Sequence, residues 1–171
     1  MPDTVTYTPI ATNTLGSAAA SVTFSSIPGT YKDLVIVMSV GKGIAYSTCL
    51  EFNSNTSLVY SRTRLSGDGS TATSARLTTG DGYAYIALSS YGNGTTLGTE
   101  NVIVNIMNYS NTTTYKTTLS RTNGPSGLDA NVGLWQSTAA ITSIKIVPDI
   151  DTPARTSFIT GSTFTLYGIG A

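Results

Sequence analysis

The chain has 171 residues, enough for one domain with a proper core and too few for two substantial ones. Only 11% of residues are charged, with nine basic against nine acidic, so no long-range field steers it to nucleic acid or an anionic membrane. There is no histidine and one cysteine, which excludes Ser-His-Asp and Cys-His catalysis, histidine metal ligation, a thiol-rich zinc site and any intrachain disulfide.

The missing charge is replaced by 30 Thr and 21 Ser, close to a third of the chain. Thr is β-branched and suits a pleated, half-buried surface, so the bias reads as β. The N-terminal segment 1–14 ("MPDTVTYTPIATNT") has two readings, an arm reaching onto a neighbour or a first edge strand. It lacks a basic stretch leading into an apolar core, so no signal peptide is expected. No run approaches the roughly 18 apolar residues of a membrane helix. The expectation is a protein soluble inside the cell that makes it.

From residue 15 onward a single β-sandwich domain is expected. "LGSAAASV" is the one short stretch that could form a turn of helix. Strand-length apolar or alternating runs then follow at Ser21–Phe24, Leu34–Val40, Thr48–Phe52, Leu58–Leu65, Tyr83–Leu88, Val102–Met107, Tyr115–Arg121, Ala130–Trp135, Ile141–Val147 and Thr163–Ile169. Between them lie Gly-, Pro-, Asn- and Asp-rich clusters such as "SIPGT", "SGDGS", "NGPSG" and "PDIDTPA", which supply the dihedrals of tight reversals. The pattern predicts an all-β, antiparallel, jelly-roll-like β-sandwich.

Alternation fixes faces. Ile144 and Ile146 should share one side of their strand, and Phe164 and Leu166 one side of theirs, with Ser, Lys and Thr opposite. "DLVIVMSV" is apolar on both sides, which predicts a central strand covered by protein on each face. In "NVIVNIMNYSNTTTYKTTLSR" a polar connection joins two strands, and Ile106 and Leu119 are placed to meet across the hairpin. Asn55, Asn93, Asn108 and Asn111 match the glycan-acceptor pattern, which in an Asn- and Thr-rich chain without a secretion signal is expected by chance.

Candidate chemistry is sparse. Glu51, Asp68, Asp81, Glu100, Asp129, Asp149 and Asp151 could in principle pair for glycoside hydrolysis, but most are read as turn carboxylates bonding their own backbone. The loops around Asp68, Asp81 and Asp149 lack the alternating acids and distal Glu of a calcium loop. Gly41, Gly43, Gly67, Gly69, Gly92, Gly94 and Gly98 match no phosphate-cradling pattern. Catalytic, cofactor and metal residues are therefore set at none, and the chain is expected not to be an enzyme. Ten tyrosines are a third function-bearing feature. Tyr46, Tyr60, Tyr83, Tyr85, Tyr91, Tyr109 and Tyr115 read chiefly as core caps and secondarily as interface residues. Trp135 and Cys49 read as buried.

The phrases "YTPIATNTLGSAAASVTFSSIPGTYKDLVIV", "LEFNSNTSLVYSRTRLSGDG", "VNIMNYSNTTTYKTTLSRTNG", "ANVGLWQSTAAITSIKIVP" and "GSTFTLYGIGA" resemble a family of tailed-bacteriophage virion proteins, common in marine and cyanobacterial phages. The resemblance spans Tyr7 to Ile169 and carries no functional residues. It implies a β-sandwich working in multimers, a trimer among them. The expected role is a capsid-surface decoration or cement subunit of the virion, assembled in the host cytoplasm. Its partners would be the major capsid protein, other virion proteins and its own copies, without nucleic acid, membrane or cofactor. The alternative is a tail-fibre tip or receptor-binding module recognising host polysaccharide, although this chain shows no fibre shaft.

Overall fold

A computed structural model describes residues 6–42, 47–87, 100–124, 127–148 and 157–170. Twelve strands are formed there, and no helix is present among the described residues. In chain order they are β1 (Tyr7–Thr14), β2 (Val22–Phe24), β3 (Asp33–Val40), β4 (Thr48–Phe52), β5 (Tyr60–Gly67), β6 (Ala72–Asp81), β7 (Ala84–Ala87), β8 (Glu100–Met107), β9 (Lys116–Gly124), β10 (Gly127–Trp135), β11 (Ile144–Pro148) and β12 (Thr163–Ile169). All pairings are antiparallel. The large sheet runs β1-β12-β3-β8-β9-β10-β5-β6 and the small one β2-β11-β4-β7, packed face to face as a jelly-roll-like sandwich.

The alternation expected at β11 and β12 is present: Ile144, Ile146, Phe164 and Leu166 are fully buried. They join Leu34, Ile36, Met38, Val102, Val104, Ile106, Leu50 and Phe52 in one continuous core between the sheets. At one end Phe52, Tyr60 and Trp135 form an aromatic cluster, with Tyr60 and Trp135 stacked at 6.3 Å between ring centroids. Cys49 is wholly buried in a smaller cluster with Tyr85 and Val147.

Polar connections are held by their own side chains. The Asn111 amide oxygen accepts bonds from the backbone N–H and the hydroxyl of both Thr113 and Thr114, between 2.7 and 3.1 Å. This explains the tract between β8 and β9: Thr and Asn close a turn by local bonding instead of extending a strand. Asn53 does the same over a longer range, accepting from Thr142 N and Ser143 N and donating to Ala140 O. Buried Tyr109 donates its hydroxyl to Pro28 O and accepts from Tyr31 N, pinning the segment before β3. The Tyr31 ring in turn lies on Gly168, where any β-carbon would collide with it.

Several expectations need correction. "LGSAAASV" forms bends and an isolated bridge between Ala19 and Phe158, and no helix. Of the two readings of segment 1–14, Tyr7–Thr14 is the edge strand β1; residues 1–5 lie outside the described residues. Ile106 and Leu119 sit on neighbouring strands but on opposite faces, because Ile106 pairs with Thr118 and Leu119 with Asn105. The outer face of β3 is covered only in part: Val35 is buried, whereas Val37 beside it is 39% exposed. β6 was not anticipated.

Candidate functional site

The large sheet presents two faces of unexpected polarity. On β3, β8 and β12 the order is ordinary, with even-numbered apolar residues facing the core. On β9 and β10 it is reversed. Lys116, Thr118, Ser120 and Thr122 of β9 and Asp129 and Asn131 of β10 point inward and are buried, whereas Leu119, Leu128 and Val132 point outward. Registers Leu119↔Val132, Arg121↔Ala130 and Ala130↔Leu65 place these residues side by side across β9, β10 and β5.

The outward side is an apolar surface. Of the nine exposed large hydrophobic residues among the described ones, seven lie on it: Tyr7, Val37, Leu65, Met107, Leu119, Leu128 and Val132. Leu128 and Leu65 are 59% and 60% exposed. Ile103 and Ala130 fill the space between them, and shallow depressions open along Val37, Ile103 and Leu119 and along Leu65, Ala72 and Leu128. With strands about 4.8 Å apart and about 3.3 Å per residue, the patch on β3, β8, β9, β10 and β5 covers roughly 20 by 20 Å, about 400 Å². That is at the scale of the largest patch an ordinary monomer exposes, and such patches mark interaction sites. Arg121 stands in its middle with no ion pair among the described residues.

Three of the inward polar residues, Ser120, Thr122 and Asn131, converge on one acceptor. β7 is the edge of the small sheet, so its outer carbonyls lack a strand partner. Ile86 O is met instead by Ser120 Oγ at 2.8 Å, Thr122 Oγ1 at 3.1 Å and Asn131 Nδ2 at 3.4 Å. Those three donors sew the small sheet to the large one and explain why polar groups are tolerated inside. Gly133 continues the theme of close approach, since a β-carbon there would meet Thr118 Oγ1 at 2.5 Å.

The candidate carboxylates are largely structural. Glu51, Glu100 and Asp129 are buried on strands, Glu51 within the run Thr48–Phe52 already read as a strand. Glu100 meets Lys42 at 2.7 Å, and Thr48 Oγ1 accepts from Lys42 Nζ at 3.1 Å while donating to Glu100 Oε1 at 3.0 Å. Burial pushes the Glu100 carboxyl above the ordinary range even against the pull of Lys42. Glu51 pairs with Lys145 at 3.2 Å on the small sheet. Asp81 lies 4.0 Å from Arg62, whose guanidinium stacks 3.6 Å above the Tyr85 ring. Asp68 is the turn carboxylate the sequence predicted: it accepts from Ser70 N, Ser70 Oγ and Thr71 N, which hold its carboxyl below the usual range. Asp149, Asp151, Tyr46, Tyr91, Asn93, Gly43, Gly92, Gly94 and Gly98 lie outside the described residues. No cluster of three or more His, Cys, Asp or Glu suited to a metal exists among the described residues.

The tyrosines divide. Tyr60, Tyr85 and Tyr109 are buried, Tyr83 packs against the Cys49 cluster, and Tyr115 is 53% exposed. Trp135 is buried as expected. The outward apolar face was the feature sequence reasoning missed. Its signal was present in "DLVIVMSV" and in the leucines and valine of "KTTLSRTNG" and "GLDANVGLW", which alternate with residues too polar to suggest that they face a core.

No family model and no curated protein matches the chain. Among solved structures it is similar to the Caenorhabditis elegans galectin LEC-6, at 6% identity and a TM-score of 0.38, over 90% of this chain and 94% of the galectin. It also resembles an alginate lyase, Aly36B, in complex with alginate trisaccharide (12% identity, TM-score 0.27, 88% and 80% coverage). A family two carbohydrate esterase from Cellvibrio japonicus follows at 10% identity and a TM-score of 0.17, with 94% of this chain and 32% of the esterase covered.

Proposed function

We propose that this chain is a bacteriophage virion structural protein, a capsid-surface decoration subunit that stabilises the particle by contacts with the major capsid protein and with its own copies. The observation that carries the reading is the reversed polarity of β9 and β10, which turns Leu119, Leu128 and Val132 toward solvent while polar side chains occupy the interior. A free monomer gains nothing from that arrangement. A subunit whose stable state is the assembled one gains about 1.5–3 kcal/mol for each large apolar side chain that a neighbour fully covers. Because such contacts exist only in the assembled particle, they favour it over free subunits by mass action. The weak surface charge supports the same reading, since copies are not driven apart. The phage assignment rests on the resemblance of the sequence phrases.

Quantitative proteomics of purified virions tests the role. A copy number on the scale of the shell's own subunits, with particles lacking the protein less resistant to heat or low salt, is the expected result. Few copies, with deletion leaving stable particles that fail to adsorb, would replace the decoration reading with the tail-fibre one, in which host polysaccharide is the ligand.

A further inference from the structure

We infer that two copies of this chain pair through the outer edge of β6, which has no strand partner among the described residues, antiparallel across a two-fold axis, so that two large sheets become one. The inference deepens the proposed reading by naming the unit that docks. Four strands end the two sheets: β1, β6, β2 and β7. β1 is guarded, because Pro9 has no N–H to donate and its pairing is irregular between Pro9 and Ala11. β2 has only three residues. β7 has four, and its Ile86 carbonyl is already taken by three donors from the large sheet. β6 differs in length and composition, and its pairing with β5 is regular from Ala72 to Leu77, the irregularity falling between Leu77 and Asp81. It has ten residues, contains no proline, and its residues 72–76 are all exposed. Its regular and exposed stretch, residues 72–76, is a template for another strand.

The residues of β6 suit a second copy. Small and hydroxyl side chains, Ala72, Thr73, Ser74 and Ala75, stand before the single arginine, Arg76. With Ser74 opposite Ser74 of a second copy, each Arg76 falls opposite Ala72, and the two arginines are separated by about 13 Å along the strands. Like charges then lie beyond the screening length of about 8 Å at physiological salt. The pairing is isologous and closes on itself.

Area argues in the same direction. One apolar patch of about 400 Å² is half of the roughly 800 Å² that each side of a standard interface buries. The patch runs to Leu65 and Leu128, whose depression is bordered by Ala72 and Ser74 of β6 itself. Joining two copies at β6 brings the patches within about 15 Å of each other, bridged by small residues on a common plane. The fused surface reaches the size of a standard docking face.

Light scattering of the full chain at micromolar concentration, together with a Ser74→Cys variant, tests this. Wild type should show twice the 17.8 kDa chain mass, and Ser74→Cys should form a disulfide-linked dimer under oxidising conditions, while Thr12→Cys on β1 should not. Native Cys49 is buried and does not compete. Ser74→Lys should give a folded monomer. A wild-type monomer, or cross-linking through Thr12→Cys in preference to Ser74→Cys, would overturn the inference. The two readings separate cleanly: Ser74→Lys that still decorates particles in full sinks the two-fold unit and leaves the decoration role intact, whereas a dimer that never associates with particles does the reverse.

Discussion

The two halves of the large sheet differ in the way they spend their alternation. On β3, β8 and β12 the apolar residues face the small sheet, and the core there is hydrocarbon apart from Glu100 at the start of β8 and its partner Lys42. On β9, β10 and β5 the same period of two is kept with the sign reversed: Ser66, Ser120, Thr122, Asp129 and Asn131 are inside, and Leu65, Leu119, Leu128 and Val132 are outside. One half obeys the requirements of folding alone. The other also obeys the requirements of a surface that must later be covered; Ser120, Thr122 and the Asn131 amide nitrogen donate to the Ile86 carbonyl there, while Ser66 Oγ is buried without a hydrogen-bond partner.

The sharpest way to break the comparison is to attack the inward charges. Glu100→Ala removes the carboxylate that buried Lys42 meets at 2.7 Å, and should cost about 3–5 kcal/mol in denaturant unfolding. Ile36→Ala, in the ordinary half, should cost about 2–5 kcal/mol by cavity formation. Comparable losses would show that the buried ion pair at the start of β8 is as firmly specified as the apolar core beside it. Tyr60 links the halves at the aromatic end. Its hydroxyl accepts from Phe52 N at 3.2 Å and donates to Asn55 O at 2.9 Å, and burial pushes its phenol up to about 12. Tyr60→Phe should cost about 1–3 kcal/mol by leaving the Phe52 amide unpaired, and absorbance titration of the native protein should show one tyrosine ionising near 12.

A pH series separates the buried pair from mere packing. The Glu100 carboxyl is raised above its unfolded value of 4.5, so its contribution is complete below 4.5 and is lost as pH rises through the higher folded value. Wild type should therefore show a downward slope of stability with pH above 4.5 that Glu100→Gln lacks, measured by urea unfolding at matched ionic strength. The smallest effect on the isolated chain is expected outside. Leu128→Ser and Val132→Thr should each change unfolding free energy by no more than about 0.5 kcal/mol, as exposed positions do, while reducing attachment to particles. Outer substitutions that unfold the chain instead would mean that this face serves the monomer.

Much of the architecture was legible because it depends on local rules. Ile144 with Ile146 and Phe164 with Leu166 announce their faces, and the Asp68 turn announces its hairpin. β6 was not legible, since "ATSARLTTGD" at the far end of the sheet extends beyond the cover of the small sheet and needs no apolar stripe. The pairing of Ile106 depended on the length of a turn closed by Asn111, and one residue of register decides which face a side chain takes. Lys42 and Thr48 are close in sequence, but Glu100 lies 52 residues beyond Thr48, so only the fold brings it to them. The outer face could be suspected from "DLVIVMSV" but not located, because Leu119 and Val132 look like core residues until their neighbours Ser120 and Asn131 are seen inside.

The Tyr31 ring resting on Gly168 couples the segment ahead of β3 to the last strand of the chain. Its near-ultraviolet circular dichroism should therefore act as a built-in optical gauge of whether the C-terminal strand is seated. Gly168→Ala would evict the ring and dim that signal, giving a readout of terminal fraying that requires no dye and no tag.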